Sequence, residues 1–430
     1  MRVDRSETPA GQTSAQTTSP RRPASRGRVR TFTSLQSKDF RLLWAGNIFD
    51  HMALWLQMIT LSWLVWDLTG SALLSGTAAG LRGFPTLIIG PWAGVVADRM
   101  DRRKVVIVVQ FFLSVVAFGF ALMVATATVE VWHAFAYAGV SAVCFAFIMP
   151  ARSALVVNTV PPGDLGNAFA LNAMTVTVNR LIGGMLGGLL ITEVGITWNF
   201  LVEGVAYLLA ALLLIPMRTP YQGESTARRD SVLNNLKGGF LYIWQENRII
   251  LHLIIMSFIL TFCFIPLPAL LPAYAGEVLG AEANVGGYLM AAQGVGGVTT
   301  TFVIASLGFG IRKGKLALIA LVAGSAAILT LSLSQWLMLS LAMMVCLGFC
   351  QTSFIVGNQT LVQQMTPDNL RGRVTSIYML EHGLGPVGIF LIGLLMDLYT
   401  VSGALTLISS VSLATAVFFL VVFRRVRNLE

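Results

Sequence analysis

The sequence predicts an all-α polytopic membrane protein: twelve transmembrane helices in two six-helix halves, with both termini cytoplasmic. Composition, recurring apolar runs and the placement of positive charge predict it. Of 430 residues, 55% are hydrophobic and 11% charged, with a mean hydropathy of +0.74, whereas a soluble domain carries roughly 25% charged residues. Apolar runs of about twenty residues, enough to cross a bilayer as a helix, recur between short charged connections. All but four of the 29 Lys and Arg fall in alternate connections and the terminal segments, which the positive-inside rule assigns to the cytoplasm. A soluble enzyme fold is excluded. The net charge of +9 belongs to these loops and carries no expectation of nucleic-acid binding.

Residues 1–39 are rich in Ser, Thr, Pro, Arg and Gln and nearly devoid of large apolar side chains. They cannot bury enough surface to fold and read as a disordered cytoplasmic tail. The N-terminal six-helix half, residues 40–216, has runs starting near Phe40, Leu73, Val105, Val131, Gly166 and Thr197. A linker follows at 217–248, where Val232, Leu233, Leu236, Phe240, Leu241 and Trp244 share a helical spacing. That pattern predicts a short amphipathic helix on the inner surface. The C-terminal half, residues 249–424, has runs starting near Ile249, Asn284, Leu316, Trp336, Gly372 and Ser402, and 425–430 form a short cytoplasmic tail. The basic connections are 98–104, 217–248, 310–315, the segment near Arg371 and the chain end. The opposite loops, around Asp67, Glu130, Glu193, Glu277 to Glu282, Gln335 and Asp397, carry no Lys or Arg.

The halves are weak copies. Placing Pro162-Gly-Asp-Leu165 over Pro367-Asp-Asn-Leu370 brings Gly183 onto Gly388 and Gly188 onto Gly393. Parallel six-helix repeats suit a transporter whose halves rock about a central site.

The connection after the second run reads Gly94-Val-Val-Ala-Asp98-Arg99-Met-Asp-Arg102-Arg103-Lys104. Here the chain resembles the major facilitator superfamily, whose loop signature places an aspartate after a glycine and then basic residues around a tight turn. Gly94, Asp98, Arg99, Arg102 and Arg103 match, while Asp101 stands where the turn glycine is usual. The resemblance implies the major facilitator fold and makes these residues a conformational latch, with Asp98 accepting from a helix N-terminus or pairing with an arginine. It also brings Arg152 toward Asp98. The alternative is that the charges only anchor orientation.

A closer resemblance, to the exporter branch that holds the enterobactin exporter and macrolide-efflux proteins, covers nearly all of residues 40–424. Trp63-Leu-Val-Trp-Asp-Leu-Thr-Gly70, Ala97-Asp-Arg-Met-Asp-Arg-Arg103 and Gln364-Met-Thr-Pro-Asp-Asn-Leu-Arg-Gly-Arg-Val374 carry it. The fifth run, Arg180-Leu-Ile-Gly183-Gly184-Met-Leu-Gly187-Gly188, is similar to an antiporter signature in which a proline stands at the Gly184 position. Glycines at this density serve either a hinge or ordinary close helix packing.

Ionisable side chains inside apolar runs are costly and mark function by default. Estimated depth pairs Arg180 with Glu203 as an intramembrane ion pair. Arg82 and Glu381 both fall near the midplane, on helices that the family fold sets face to face. Asp50 shares a helical face with Asn47, Leu54, Gln57 and Met58 and has no evident partner. A carboxyl desolvated without a fixed cation holds a proton readily, the chemistry an antiporter needs, so proton coupling is assigned to Asp50, Glu381 and Arg82, with the carrier either Asp50 or Glu381. A plain hydrogen-bonding role for Asp50 is the alternative; His51 and His382, each next to an acid in sequence, read as packing residues, with a proton relay as the alternative. Candidate cavity-lining residues are Asn47, Gln57, Met58, Phe147, Phe262 and Tyr378.

Cys144, Cys263, Cys346 and Cys350 lack further ligands, so no metal is expected, and no cofactor. P-loop, His-Glu-x-x-His and Gly-x-Ser-x-Gly motifs are absent, so transport energy comes from a gradient. The sequence thus reads as a monomeric inner-membrane antiporter of a bacterium that exports a small amphipathic drug-like or siderophore-like molecule in exchange for protons. Its partners are that substrate, protons and the lipid bilayer. An uncoupled facilitator or importer, and a non-transporting membrane sensor, are the alternative readings.

Overall fold

The computed structural model describes residues 33–81, 83–85, 88–89, 100–219, 232–245, 247–307, 312–367, 370, 373–374, 377–378 and 383–429. Among these residues the fold is all helical. The first set of helices is α1 (Lys38–Thr69), α2 (Ala72–Gly80), α3 (Arg102–Ala125), α4 (Val131–Thr159), α5 (Leu165–Glu193) and α6 (Ile196–Leu214). A connecting helix α7 (Val232–Gln245) leads to α8 (Arg248–Ile259), α9 (Leu267–Ala273), α10 (Ala283–Leu307), α11 (Lys313–Leu333), α12 (Leu337–Gln364), α13 (Gly385–Leu398), α14 (Val401–Val422) and the short α15 (Arg424–Arg427). Nine helical stretches among the described residues are long and apolar enough to cross a membrane, with Gly385–Leu398 a shorter apolar helix.

Local chemistry sets the ends. Ser37 caps α1 and Gly70 ends it in the left-handed conformation at φ 63°, where a side chain would be strained. Ser71 then caps α2. Asp101 adopts an extended conformation and accepts from the backbone N–H groups of Arg103 and Lys104. This explains its place in the turn: it is the N-cap of α3, a position that needs no left-handed glycine. The stretch Arg248–Val278 is continuous but contains π-helical turns at Leu260–Phe264 and Tyr274–Val278 that flank α9. Prolines 266, 268 and 272, which cannot donate to the helical ladder, account for the irregularity.

Apolar side chains point both inward and outward. Val108, Phe111, Phe112, Leu122, Trp132 and Val411 are all more than half exposed except Phe112, a distribution suited to lipid rather than water. Within α7, Tyr242 and Ile243 are buried, while Phe240, Leu241 and Trp244 face outward.

The two sets meet along α5 and α10 down to Leu181 and Thr177, which face Gly294 and Gly297, and further ties join them at the end away from the basic connections. There Gly188 of α5 faces the backbone of α10, where an added Cβ would lie 2.8 Å from both Ala283 O and Gly287 Cα. Asn284 N donates to Thr192 Oγ1 at 3.1 Å, and Ser62 Oγ donates to Ala269 O at 2.7 Å. Asp397, just inside the end of α13, accepts from Ala72 N at 2.7 Å, Leu73 N at 3.3 Å and Ser71 Oγ at 2.5 Å, and so caps α2 from across the chain.

Candidate functional site

Asp50 lies twelve residues into α1, about 18 Å along the helix, and is 4% exposed. It is not alone. Arg152 of α4, 6% exposed, donates through Nη1 to Asp50 Oδ2, and Gln110 of α3 donates through Nε2 to Oδ1 at 3.2 Å. The expectation of an Asp50 without a fixed cation is therefore corrected: Arg152 is that cation, while the expected approach of Arg152 to Asp98 lies outside the described residues. Residues Asp50 and Arg152 sit at matching depth on neighbouring helices, and neither charge is stable there without the other. Arg152 Nε and Nη2 and Gln110 Oε1 are buried with no hydrogen-bond partner among the described residues. The cluster holds its charges in balance while leaving spare polar capacity, an arrangement that can exchange partners.

The rest of the predicted polar face divides. Asn47 is fully buried and donates to Asn172 Oδ1 of α5 at 2.8 Å, which makes it an inter-helix tie rather than cavity lining. His51 places Nδ1 2.8 Å from Asn47 O and 3.9 Å from Asp50 Oδ2. Gln57 donates to Ser141 Oγ at 2.8 Å, and with Met58, Leu54 and Ala138 it lines a cavity of about 50 Å³, room for one or two waters. Phe147 is half-buried, and half-buried Phe262 stacks on Phe258 with centroids 6.0 Å apart. Tyr378 is 2% exposed and packs into the core of the second set, not onto an open cavity.

Arg180 and Glu203 do not form the expected ion pair. Arg180 Nη1 donates to Gln351 Oε1 of α12 at 3.2 Å, and its Cζ lies 5.0 Å from the centroid of the Trp55 ring. Glu203, 1% exposed, accepts from Tyr137 Oη at 2.6 Å beside the stacked rings of Phe120 and Tyr137. The physical reason is direction: equal depth on α5 and α6 says nothing of facing, and Arg180 points toward the second helix set while Glu203 points into the first.

Of the predicted latch residues, Gly94, Asp98 and Arg99 lie outside the described residues, as do Arg82 and Glu381 of the proton-coupling assignment and His382. Arg102 opens α3 and is half-buried. Arg103 donates through Nε to Leu214 O at 2.9 Å and through Nη2 to Ile215 O. It thus caps the C-terminus of α6, where a cation meets the carbonyl end of the helix dipole, and ties α3 to α6 within one helix set.

The sequence reading passed over Gln110, Gln293, Gln351 and Asp397. Each carried a signal: the three glutamines are amides inside apolar helices, but a search for ionisable residues does not register them. Asp397 lay in a loop free of basic residues and was read only for orientation.

The profile of one protein family, described as a transmembrane secretion effector, matches residues 29–430. The staphyloferrin A transporter of Staphylococcus aureus is 20% identical over 392 residues, covering 90% of this chain and 95% of that protein. The enterobactin exporter EntS of Escherichia coli is 26% identical over 349 residues, 79% of this chain and 78% of that protein. Among solved structures, the nucleoside transporter NupG superposes with a TM-score of 0.70 at 14% identity, over 90% of this chain and 99% of that one. A bacterial homologue of the lysosomal transporter Spinster, in an inward-facing conformation, gives 0.64 at 16% identity, over 93% and 97%. These structures share the fold of this chain.

Proposed function

We infer that this chain, which belongs to the family of transmembrane secretion effectors, exports small amphipathic molecules of drug or siderophore type in exchange for protons, by alternating access. It is a multi-pass membrane transporter and not an enzyme. The relatives named for enterobactin and staphyloferrin A support a siderophore-like cargo, and bacterial exporters among them support the inner membrane as its location. Positive charge on alternate connections supports cytoplasmic termini. In that orientation the ties made by Asp397, Asn284 and Ser62 lie at the outer end, which supports reading this arrangement as closed to the outside.

The observation that carries proton coupling is the buried Asp50, Arg152 and Gln110 cluster. A proton accepted at an Asp50 carboxylate oxygen removes the charge that holds Arg152. The guanidinium is then drawn toward other acceptors or water, and the helices α1 and α4 that carry the two groups lose their electrostatic tie. Release of the proton restores it. Two arrangements of one packed cluster, biased by a proton, are what a rocking bundle requires. Glu381 and Arg82 remain the second candidate pair for this step, and Asp98, Arg99 and Gly94 the candidate latch on the cytoplasmic side.

The test is proton release from inverted vesicles on addition of enterobactin, staphyloferrin A or an amphipathic dye, comparing the unaltered protein with Asp50→Asn. Compound-dependent proton movement that is lost in the variant supports the assignment. Transport that continues unchanged and independent of pH in Asp50→Asn sinks it and favours an uncoupled facilitator.

A further inference from the structure

A cation with no acid beside it among the described residues lies between the two helix sets. Arg180 of α5 is held by the neutral oxygen of Gln351 and by the Trp55 ring. No carboxylate among the described residues is within ion-pair distance of it. The oxygen that receives Arg180 also accepts from Gln293 Nε2 of α10 at 3.0 Å. Gln293 is fully buried and Gln351 is 5% exposed, yet Gln293 Oε1, Arg180 Nε and Trp55 Nε1 are buried without a hydrogen-bond partner among the described residues.

For an unloaded protein this arrangement is poor. A guanidinium within a membrane span costs several kcal/mol unless an anion meets it; Arg180 is half-buried, and here one amide oxygen serves two donors while the buried Arg180 Nε and Trp55 Nε1 have no acceptor among the described residues. Gln293 Oε1 is an acceptor left over for a donor carried by a bound ligand, whereas these three defects are of one kind, a shortage of negative oxygen. A carboxylate or similar anionic oxygen group supplies it, since the guanidinium fork takes two parallel bonds from Nε and Nη. An aromatic or apolar body adjoining that group would lie against Trp55. The support is stiff: a Cβ at Gly183 would meet Trp55 Cβ at 2.7 Å, and one at Gly184 would meet Met290 Cγ at 2.7 Å. Helix α5 therefore packs against α1 and α10 with no slack beside Arg180.

We propose that Arg180, Gln351, Gln293 and Trp55 form the subsite for the anionic group of the cargo, so that the transported molecules are amphipathic organic acids. This rests on the reading of the chain as an exporter of small amphipathic molecules, and it narrows that class. Because Arg180 and Trp55 belong to the first helix set and the glutamines to the second, an anion seated here joins the two.

The test uses purified full-length protein in detergent and a charge series on one body: 2-naphthoate, neutral 2-naphthamide and cationic 2-naphthylmethylamine, with binding read by tryptophan fluorescence and thermal shift. The unaltered protein is expected to bind naphthoate about tenfold more tightly than the amide, the difference between a charge-assisted and a neutral hydrogen bond, and the amine least. Arg180→Gln is expected to abolish the preference. Gln351→Glu guards against a variant that fails to fold: it gives Arg180 an internal carboxylate, so thermal stability rises while naphthoate preference is lost. Equal affinity across the series, no binding of any member, or a preference that survives Gln351→Glu would overturn the subsite. Binding is read without transport, so loss of proton coupling with charge preference intact refutes the antiport reading alone, and the reverse result refutes the subsite alone.

Discussion

Asp397→Ala should loosen the closed end of the bundle. The carboxylate receives three donors from the first residues of α2, Ala72 N, Leu73 N and Ser71 Oγ, and thereby adds a second cap to a helix that Ser71 already caps through Leu74 N. Asp397 is exposed, so solvent screens the interaction and the scale is that of an N-cap, about 1–2 kcal/mol. That energy exists only while α2 and α13 meet, and its loss raises the population of the separated arrangement by about 5- to 30-fold. The assay is electron–electron distance measurement between spin labels at Leu68 and Tyr399, exposed positions at this same end, in a background lacking the native cysteines. The alanine variant should gain a longer-distance component. Asp397→Asn keeps an acceptor without the charge and should fall between, and raising the salt concentration should shrink the difference between the unaltered protein and Asp397→Asn. A distance distribution unmoved by Asp397→Ala would refute the reasoning, because the bonds would then contribute nothing to closure.

Three further outcomes are expected. Gly188→Ala forces a Cβ against backbone atoms of α10 and should lower stability by about 1–3 kcal/mol, measured by thermal unfolding in detergent, whereas Gly166→Ala, which meets open space, should not. Arg103→Gln removes the cap on Leu214 O and Ile215 O and should speed amide exchange in the last turn of α6, at a cost of about 1–2 kcal/mol. Asp50→Asn and Arg152→Gln each strand a buried partner at about 3–5 kcal/mol, while the double variant should cost less than their sum, by 1–3 kcal/mol in a double-mutant cycle.

Helix positions were legible because length and hydropathy decide them: runs read as starting near Val131, Gly166, Thr197, Ile249, Asn284 and Ser402 begin within a turn of observed helices. Side-chain partners were not, because burial depth is readable along a helix but rotation between helices is not. Arg180 and Glu203 show this, with the same depth and different faces. Asp50 shows the complementary case: its partner Arg152 lies inside an apolar run of the sequence, but which helix face it occupies is set by packing. The Asp101 position was legible once read physically, as an aspartate immediately before a helix.

The proton site and the anion subsite share one element, α1. Asp50 and Trp55 are five residues apart on it, about 7.5 Å along the axis, and the Trp55 ring lies against Arg180. If the two proposed sites are coupled, reciprocity requires that protonation of Asp50 change naphthoate affinity by the same factor as naphthoate changes proton affinity. The sign separates two mechanisms. Direct electrostatics makes an anion bind better when Asp50 is neutral, although Arg152 already offsets the Asp50 charge and leaves this effect small. Antiport demands the opposite, since proton and cargo must occupy the carrier in turn, so naphthoate affinity should fall as the medium is acidified. Asp50→Asn, fixed in the neutral form, should bind weakly at every pH, and subtracting its profile from that of the unaltered protein removes the titration of naphthoate itself. A difference profile that is flat, or that rises toward acid, would dismiss exchange through Asp50 and transfer the coupling role to Glu381.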